Sequence, residues 1–425
     1  MQPLTSTTMP ESVAEKKPRI LISGAGIAGT TLAFWLSKAG LSVTVLERST
    51  EFRKEGQTVD IREGAIQIIE WMGLKKAVMD LCTKEAGVKL VDAHNRTWAS
   101  FPKRKDGNGF TAEIEILRSS LAKLIFNSCQ NNIEYKFGAT IDSIEETEDA
   151  VRVTLAGDKT VFEYDMIVVA EGFLSRSRAK VFNEDIRAPL VRFNIYAVLF
   201  SYDPSPTDTE WARVYHMPKR RALVVRPDGF SRVRAIAACV SPSETTRLIA
   251  STKTSQAQQK EYFFNQFKDG GWELAKVMEG LKNANDFRVQ DIAQVKAKTW
   301  SKGRVVLCGD SAYCPSAPTN MGTTAAIVGS YILASKIVQH KKDYRTAFST
   351  YETALRPWIS RAQKLSLGFP KLDFPDSMLG VYLLRFFMGL LAIVTNSKIF
   401  GLLQGIISLL PSFGVLKLPP PSVFE

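Results

Sequence analysis

The stretch RILISGAGIAGTTLAFWLSKAGLSVTVLE, at residues 19–47, decides the fold class of this chain. It contains a short apolar strand, a turn with three glycines, an amphipathic helix and a second apolar strand, which together make one βαβ unit. Gly24 permits a tight turn, Gly26 lets the backbone approach a pyrophosphate, and Gly29 lets helix and strand pack closely. The free N–H groups of the following helix favour an anion. The spacing predicts a dinucleotide cradle, and a glycine-rich packing turn is the alternative interpretation.

An acidic residue closes the second strand of this unit. Glu47 stands eighteen residues after Gly29, where a carboxylate can accept a hydrogen bond from a ribose hydroxyl. We include its neighbour Arg48 and the turn residue Ala28 among the candidate cofactor-binding residues. Strand, glycine turn, helix, strand and terminal acid together indicate dinucleotide binding far more strongly than the glycines alone.

A β-meander and a further buried strand are predicted after this unit. The buried strand lies in DMIVVAEGFLSRSR and ends on Glu171 and Gly172. The meander is predicted from four segments of alternating polar and apolar residues, at 133–137, 140–145, 151–155 and 160–164. This pattern differs from the repeated βα units of an NAD-binding dehydrogenase, so the cradle alone does not identify the dinucleotide.

A third strand end carries an acid and is followed by a helix. The segment VVLCGDSAYCPSAPTNMGTT, at residues 305–324, leaves its strand through Gly309 and Asp310. A carboxylate at the carboxyl end of a strand can accept hydrogen bonds from ligand hydroxyl groups. A helix is predicted over 323–336, and its positive N-terminal end would favour negative charge on a bound ligand.

The composition narrows the function class. A chain of 425 residues with 45% hydrophobic residues can bury a large core and suggests two or three domains. The formal charge of +12 admits anionic partners, but the basic residues are scattered, so we predict no nucleic-acid binding. Five cysteines without a Cys-x-x-Cys pair and three separated histidines predict no metal site. Residues 1–18 lack an apolar run and predict the disordered leader of a cytoplasmic protein.

Residues 186–289 are predicted to form a second domain, a β-sheet with helices that binds the substrate. Arg213 and Tyr215 are the candidate substrate contacts, because the period of two places them on one strand face, with His216 on the other. Arg226 is a further candidate. For each of these residues the alternative is an ordinary hydrogen-bonded position in the sheet, and no catalytic base is assigned.

The three segments GAGIAG with Glu47, VVAEGFLSRSR and VVLCGDSAYCPSAPTNMG, in this order, resemble the FAD-dependent monooxygenases of the para-hydroxybenzoate hydroxylase class. The branch they resemble holds the tetracycline-inactivating and fungal secondary-metabolite enzymes. The resemblance implies an α/β fold: a Rossmann-like, glutathione-reductase-like FAD-binding domain, discontinuous over 19–185 and 290–370, with an inserted β-sheet substrate domain and a C-terminal helical segment. It also implies non-covalent FAD, NADPH as a transient reductant, and hydroxylation or epoxidation of a hydrophobic organic substrate with oxygen.

The same resemblance assigns roles to individual residues. Glu47 would hold the adenosine ribose, Asp310 would bind the ribityl and pyrophosphate region, and Arg118 in EILRSSL would contact FAD from the following helix. The remaining cofactor-proximal candidates are Arg62, Gly172, Gly309, Gly322 and Thr323. NADPH would be bound without a glycine fingerprint of its own.

Two departures from the family pattern bear on the chemistry. Glu171-Gly172 replaces Asp-Gly in the second motif, and Asn320-Met321-Gly322 replaces Gly-x-Gly in the third. A side chain at residue 320 would stand where the backbone, and oxygen, approach the flavin ring. This motivates a second hypothesis, a redox-neutral cyclase or isomerase that keeps FAD without activating oxygen.

The tail at 371–425 is expected to form apolar helices. Its two apolar runs fall short of the roughly 20 residues that a spanning helix needs, because Arg385 interrupts the first and Pro411 the second. Two interpretations stay open: helices packed over the core, or an amphipathic pair in peripheral contact with a membrane. A non-enzymatic membrane-associated binding protein is a third, weaker hypothesis. The oligomeric state is not predicted.

Overall fold

The computed structural model describes residues 17–51, 57–104, 112–129, 133–251, 253–397 and 416–425. Most of the predicted leader and most of the second apolar run of the tail lie outside these residues. The strands are β1 (Arg19–Ser23), β2 (Ser42–Glu47), β3 (Thr58–Ile61), β4 (Gly87–Val91), β5 (Thr97–Pro102), β6 (Ile114–Leu117), β7 (Glu134–Phe137), β8 (Ile141–Glu146), β9 (Val151–Leu155), β10 (Asp158–Tyr164), β11 (Met166–Val169), β12 (Leu190–Tyr202), β13 (Trp211–Met217), β14 (Arg221–Pro227), β15 (Val233–Val240), β16 (Arg288–Val295), β17 (Ser301–Lys302) and β18 (Val305–Leu307).

The helices complete the α/β fold. They are α1 (Ile27–Lys38), α2 (Gly64–Trp71), α3 (Lys75–Asp80), α4 (Arg118–Asn127), α5 (Arg176–Phe182), α6 (Glu244–Ile249), α7 (Gln256–Phe267), α8 (Leu274–Asn283), α9 (Asp310–Tyr313), α10 (Gly322–His340), α11 (Tyr344–Ala362) and α12 (Met378–Asn396). The predicted α/β class is confirmed.

A mostly parallel six-stranded sheet, in the order β17-β18-β11-β1-β2-β7, forms the first domain. One row across it aligns Val45, Ile22, Val168 and Val306. These residues are apolar because α1, α10 and other elements bury the strands of this sheet. The register brings the carboxyl ends of β1, β11 and β18 to one edge, so the three motif turns that the sequence singled out meet there.

The predicted meander is only partly confirmed. Strands β8, β9 and β10 form an antiparallel three-stranded sheet. The first of the four predicted segments instead gives β7, which pairs in parallel with β2 at the edge of the main sheet. Its backbone groups complete the edge of β2, a role that an alternating sequence pattern does not reveal.

The second sheet is larger than the predicted 186–289 domain. Its order is β16-β12-β15-β14-β13-β4-β5, so it takes one hairpin from the preceding segment and includes β16, which crosses the predicted boundary and ends at Val295. The physical reason is that β13 would otherwise be an edge strand with unpaired backbone groups. Strand β4 pairs with it in parallel and supplies the missing hydrogen-bond partners. The hairpin at 87–102 therefore belongs to the second sheet, and not to the FAD-binding segment 19–185.

The two faces of the second sheet have different neighbours. Helices α7 and α8 cover the face that carries Phe200, Tyr215 and Met217. The opposite face carries Val214, which packs near α12, and Arg226, which reaches β3 and β6 of the first domain. This second face is the one turned toward the first domain.

The tail departs from its predicted form. Helix α12 has 19 residues and is apolar, so among the described residues it is the one helix long and apolar enough to cross a membrane, by length and composition only. Arg385 does not interrupt it. Beyond the undescribed stretch, the chain returns and buries Phe424 beside Trp35, with the ring centroids 4.7 Å apart. The last residues are therefore packed and not frayed.

Candidate cofactor site

The glycine turn after β1 has the geometry of an open cradle. Gly24 has a φ of 111°, and a Cβ there would lie 2.4 Å from the carbonyl oxygen of Ala170. A Cβ on Gly29 would lie 1.9 Å from the carbonyl oxygen of Gly24. A Cβ on Gly26 would meet only the Arg118 guanidinium, at 3.9 Å. Two glycines are thus required by the packing of the chain, whereas Gly26 faces free space beside a cation.

Glu47 lies at this turn, as predicted. One of its carboxylate oxygens accepts a hydrogen bond from the backbone N–H of Ala25 at 3.0 Å, and the other accepts one from Ser49 at 3.0 Å. These bonds fix the carboxylate at the carboxyl end of β2, beside the cradle. Arg48, the next residue, is exposed.

Glu171 links β1 to α5 through its longer side chain. Its carboxylate accepts hydrogen bonds from the hydroxyls of Ser23 at 2.7 Å and Ser175 at 2.8 Å, and from the N–H of Ser177 at 2.9 Å. The extra methylene relative to aspartate is therefore used for internal bonding. Gly172 has a φ of 85° and nothing within 4 Å of the place a Cβ would take, so the crevice is open at this residue.

Direct contacts join the second and third motifs. The N–H of Gly172 donates to the hydroxyl of Ser311 at 3.0 Å, and the guanidinium of Arg178 donates to the carbonyl of Ser311 at 2.9 Å. A Cβ on Gly309, which has a φ of 64°, would lie 2.8 Å from the Cβ of Ala28. All three strand ends are thus in contact, although they are distant along the chain.

Asp310 and Arg118 attract one another electrostatically beside the motif turns. Burial raises the pKa of Asp310, while the Arg118 guanidinium and a hydrogen bond from Cys314 act in the opposite direction. Arg118 begins α4, and its backbone N–H donates to the carbonyl of Gln57. A carboxylate and a guanidinium beside the Gly26 turn provide an acceptor for hydroxyls and a donor for phosphates.

The helix after the third motif begins where the sequence predicts. Helix α10 runs from Gly322 to His340, Thr323 is buried in its first turn, and a Cβ on Gly322 would meet nothing within 4 Å. Asn320 has a φ of 53°, a conformation that glycine favours and asparagine tolerates. The substitution of the family glycine therefore leaves the backbone path of this loop intact.

An ion cluster beside Arg62 was not predicted. The guanidinium of Arg62 contacts the carboxylate of Asp60 at 2.7 Å. The backbone N–H of Arg62 donates a hydrogen bond to the hydroxyl of Thr324 at 3.1 Å. Burial raises the pKa of Asp60, and Arg62 opposes that shift. Arg62 thus lies at the N-terminus of α10, as its predicted role requires.

Arg226 extends this cluster from the second sheet. It contacts Glu85 at 2.8 Å and Glu115 at 2.6 Å, and donates to the hydroxyl of Thr58 at 3.0 Å. The two glutamates are buried. Arg226 therefore joins the second sheet to the two-stranded sheet of β3 and β6, and is not free to meet a substrate. Two short-range patterns hint at the cluster: Asp60 lies two residues before Arg62, and Glu115 alternates with apolar residues in IEIL.

The predicted substrate contacts Arg213 and Tyr215 are corrected. Arg213 is buried, and its guanidinium contacts Asp208 and Glu273, each at 2.8 Å. The hydroxyl of Tyr215 donates to the carbonyl of Gly270 at 2.8 Å. Both side chains lie on the face that α7 and α8 cover, so their polar groups stabilise that packing and do not face the first domain.

His216 lies on the other face, as the strand period predicts. Burial, with a smaller contribution from Arg385, lowers its pKa to about 4. Arg385 donates to the backbone carbonyl of His216 at 3.1 Å. A neutral imidazole therefore lies between α12 and the sheet near neutral pH.

The crevice fits a dinucleotide with a ring system. Among the described residues, Gly172 and Gly322 have open space where a Cβ would stand, and Gly26 has only the Arg118 guanidinium at 3.9 Å. The Glu47 carboxylate is bonded at the same turn, and Asp310 interacts with Arg118. The fold and this site define a flavoprotein of the Rossmann-like class. The family model described as FAD binding domain matches residues 17–365, and the chain belongs to this family.

Named relatives identify the class of enzyme. The chain is 34% identical to "Monooxygenase CTB7" of Cercospora beticola, over 88% of this chain and 92% of that protein. It is 31% identical to "FAD-dependent monooxygenase asL4" of Sarocladium schorii, over 88% and 93%. The crystal structure of tetracycline destructase Tet(51) superposes with a TM-score of 0.73 at 26% identity, covering 95% of this chain and 99% of that one. The protein is a flavin-dependent monooxygenase with FAD as its cofactor, and the non-enzymatic hypothesis is wrong.

Proposed function

We propose that this enzyme uses NADPH and oxygen to hydroxylate or epoxidise a medium-sized hydrophobic substrate of secondary metabolism. The observation that carries the proposal is the meeting of the three motif turns at one sheet edge, with unfilled space at Gly26, Gly172 and Gly322 and with Glu47, Asp310 and Arg118 on the same turns. Bound FAD would supply the redox and oxygen chemistry.

Different residues of the site would bind different parts of FAD. Glu47 accepts hydrogen bonds from the adenosine ribose, the N–H groups that begin α1 hold the pyrophosphate with Arg118, and Asp310 accepts bonds from the ribityl hydroxyls. The N-terminus of α10 would stabilise negative charge on a bound flavin ring by roughly 0.3–1 kcal/mol, or about 2 kcal/mol when partly buried.

A hydrophobic substrate is supported by the sheet face turned toward the first domain. This face is apolar over its central strands, with Ala197, Leu199, Ile236, Ala238 and Val240. Such a surface excludes water and favours an apolar ligand through burial of its area. The substrate would lie between this surface and the motif turns. The domain division we propose keeps 19–185, without the 87–102 hairpin, and 296–370 as the FAD-binding part, because β16 belongs to the second sheet through Val295.

The test is an oxygen-free mixing experiment. Purified holoprotein is mixed with NADPH, with and without candidate substrates, while the visible flavin absorption is followed. Loss of the flavin absorption followed by product formation when oxygen is admitted supports the proposal. Product formed without oxygen and without flavin reduction would instead support the redox-neutral cyclase or isomerase. The positive φ of Asn320 keeps a backbone conformation that glycine favours, while its side chain remains the motive for testing that second function.

We also propose a cytoplasmic location for the enzyme. Fractionation of cells that produce it, read with the lipid-binding experiment below, tests this location.

A further inference from the structure

Helix α12 has an outward face that is apolar along nearly its whole length. The helix carries a single charged residue, Arg385, which is buried against the sheet. Its exposed apolar residues are Met378, Leu379, Tyr382, Leu383, Phe386, Phe387, Leu390, Leu391, Ile393 and Val394, and the exposed polar residue Asn396 ends the helix. A contiguous apolar surface of this length is unusual on a soluble protein and marks an interaction site.

The inward face holds the helix firmly on the second sheet. Val381 and Ala392 are buried, and Arg385 donates to the carbonyl of His216. A Cβ on Gly389 would lie 2.9 Å from the carbonyl oxygen of Trp98, so the helix and β5 are in close contact. A helix held in this way cannot be surrounded by lipid, which argues against a spanning orientation.

Apolar residues flank the helix in the sequence on both sides. Leu367 and Leu372, in the preceding loop, are exposed. After the helix, residues 398–415 contain one charged residue, Lys398, among mostly apolar ones. The outward face is thus part of a longer apolar stretch of chain, anchored to the protein before residue 378 and again after residue 415.

Basic and aromatic residues border this surface. Arg104 donates to the carbonyl of Thr395 at the end of the helix, with Lys103 next to it, and Lys371 is exposed before the helix begins. Trp98 and Tyr382 lie side by side, with ring centroids 6.4 Å apart, and both are partly exposed. Amphipathic rings and basic side chains beside an apolar face are typical of helices that lie in a membrane interface.

We propose that this surface docks on an anionic lipid bilayer, with α12 parallel to the membrane plane and its inward face still on the sheet. Lipid needs no shape complementarity, so it fits a surface that is long and only one helix wide. A second copy fits less well, because each copy brings a net charge of +12 and the basic borders to the contact. Anionic headgroups attract those charges.

The experiment is flotation of the full-length holoenzyme with vesicles of phosphatidylcholine and phosphatidylserine. Leu383→Glu with Phe387→Glu changes two side chains that are 48% and 61% exposed. The control, Phe230→Glu with Leu248→Glu, changes two that are 58% and 59% exposed elsewhere. We expect the wild type and the control to float with the vesicles, and the α12 variant to partition about tenfold more weakly or worse. Flavin content shows that each variant is folded.

Four outcomes would overturn the proposal. The first is a wild type that does not float, and the second is an α12 variant that floats as well as the control. The third is a wild type that is dimeric in the absence of vesicles and becomes monomeric in the α12 variant, which would assign the surface to a second copy. If replacing residues 398–415 by a short polar linker turns a non-floating protein into a floating one, the chain's own segment covers the face and the proposal also fails.

Discussion

The N–H of Gly172 donates a hydrogen bond to the hydroxyl of Ser311 at 3.0 Å, across 139 positions of sequence. This bond connects the loop after β11 to the loop after β18, at the edge where the cofactor crevice lies. Both loops are short, so their separation is set by contacts of this kind and by the pairing of the two strands.

Ser311→Ala should destabilise the protein and weaken FAD binding. The change leaves the partly buried N–H of Gly172 without its hydrogen-bond partner, at a cost of about 1 kcal/mol. Urea unfolding and release of flavin measure the two effects. The matched control is Ser335→Ala, because that hydroxyl is also buried and has no hydrogen-bond partner among the described residues. Equal losses in both variants would contradict the role given to Ser311.

Gly26→Ala and Gly29→Ala should fail in different ways. The added Cβ at residue 26 has room in the protein but enters the cradle, so the variant should fold and retain little FAD. At residue 29 the Cβ collides with the carbonyl of Gly24, so the variant should lose stability even without cofactor. Circular dichroism of the FAD-free proteins and flavin content after reconstitution separate the two. Full flavin occupancy in Gly26→Ala would refute the cradle.

The FAD-free protein should show a pH dependence that comes from Asp310. Because burial raises its pKa above the usual 3.8, the unfolded chain ionises first. The free energy of unfolding therefore falls as the pH rises from about that usual value to the raised pKa. Asp310→Asn should remove this decrease and also lower FAD occupancy.

Asp343 should give a pH dependence of stability opposite in sign to that of Asp310. A hydrogen bond with Thr346 lowers its pKa, so its contribution to the free energy of unfolding is lost as the pH falls. Asp343→Asn should therefore flatten only the acidic side of the plot of unfolding free energy against pH. Urea unfolding over a pH series checks both. An unchanged profile in Asp310→Asn would show that this carboxyl is not desolvated.

Arg226→Gln should destabilise the contact between the second sheet and the β3–β6 pair. It removes the partner of the buried Glu85 and Glu115, and an unpaired buried charge typically costs about 3–5 kcal/mol. The double variant Arg226→Gln with Glu115→Gln should recover part of that loss, because one orphaned charge is neutralised. Unfolding free energies of the wild type, the two single variants and the double variant give the coupling, and strict additivity would argue against a direct pair.

The sequence predicts the cofactor site better than its surroundings. Gly24, Gly26, Gly29 and the Asp310 turn carry local signals, since a positive φ or a close backbone approach restricts the residue type at that position. The strand pairings and ion pairs of the second sheet have no such local signal in the sequence. The joining of β4 to β13 and the ion pairs of Arg226 depend on residues far apart in sequence, which no local pattern records.

The error at Arg213 and Tyr215 has a definite cause. The period of two predicts correctly that these residues share one face and that His216 is on the other. It does not tell which face helices α7 and α8 cover. A pair of polar residues on a strand then suggests ligand contact, although Asp208 and Glu273 already neutralise the arginine.

The adjacency of β1, β11 and β18 also constrains how the protein acquires its flavin. The last of these strands begins at Val305, so the crevice is completed only after most of the chain has been synthesised. A ligand stabilises only the states that bind it. FAD therefore cannot guide the early steps of folding, and a partly folded intermediate that lacks β18 would have to persist in the cell without help from its coenzyme.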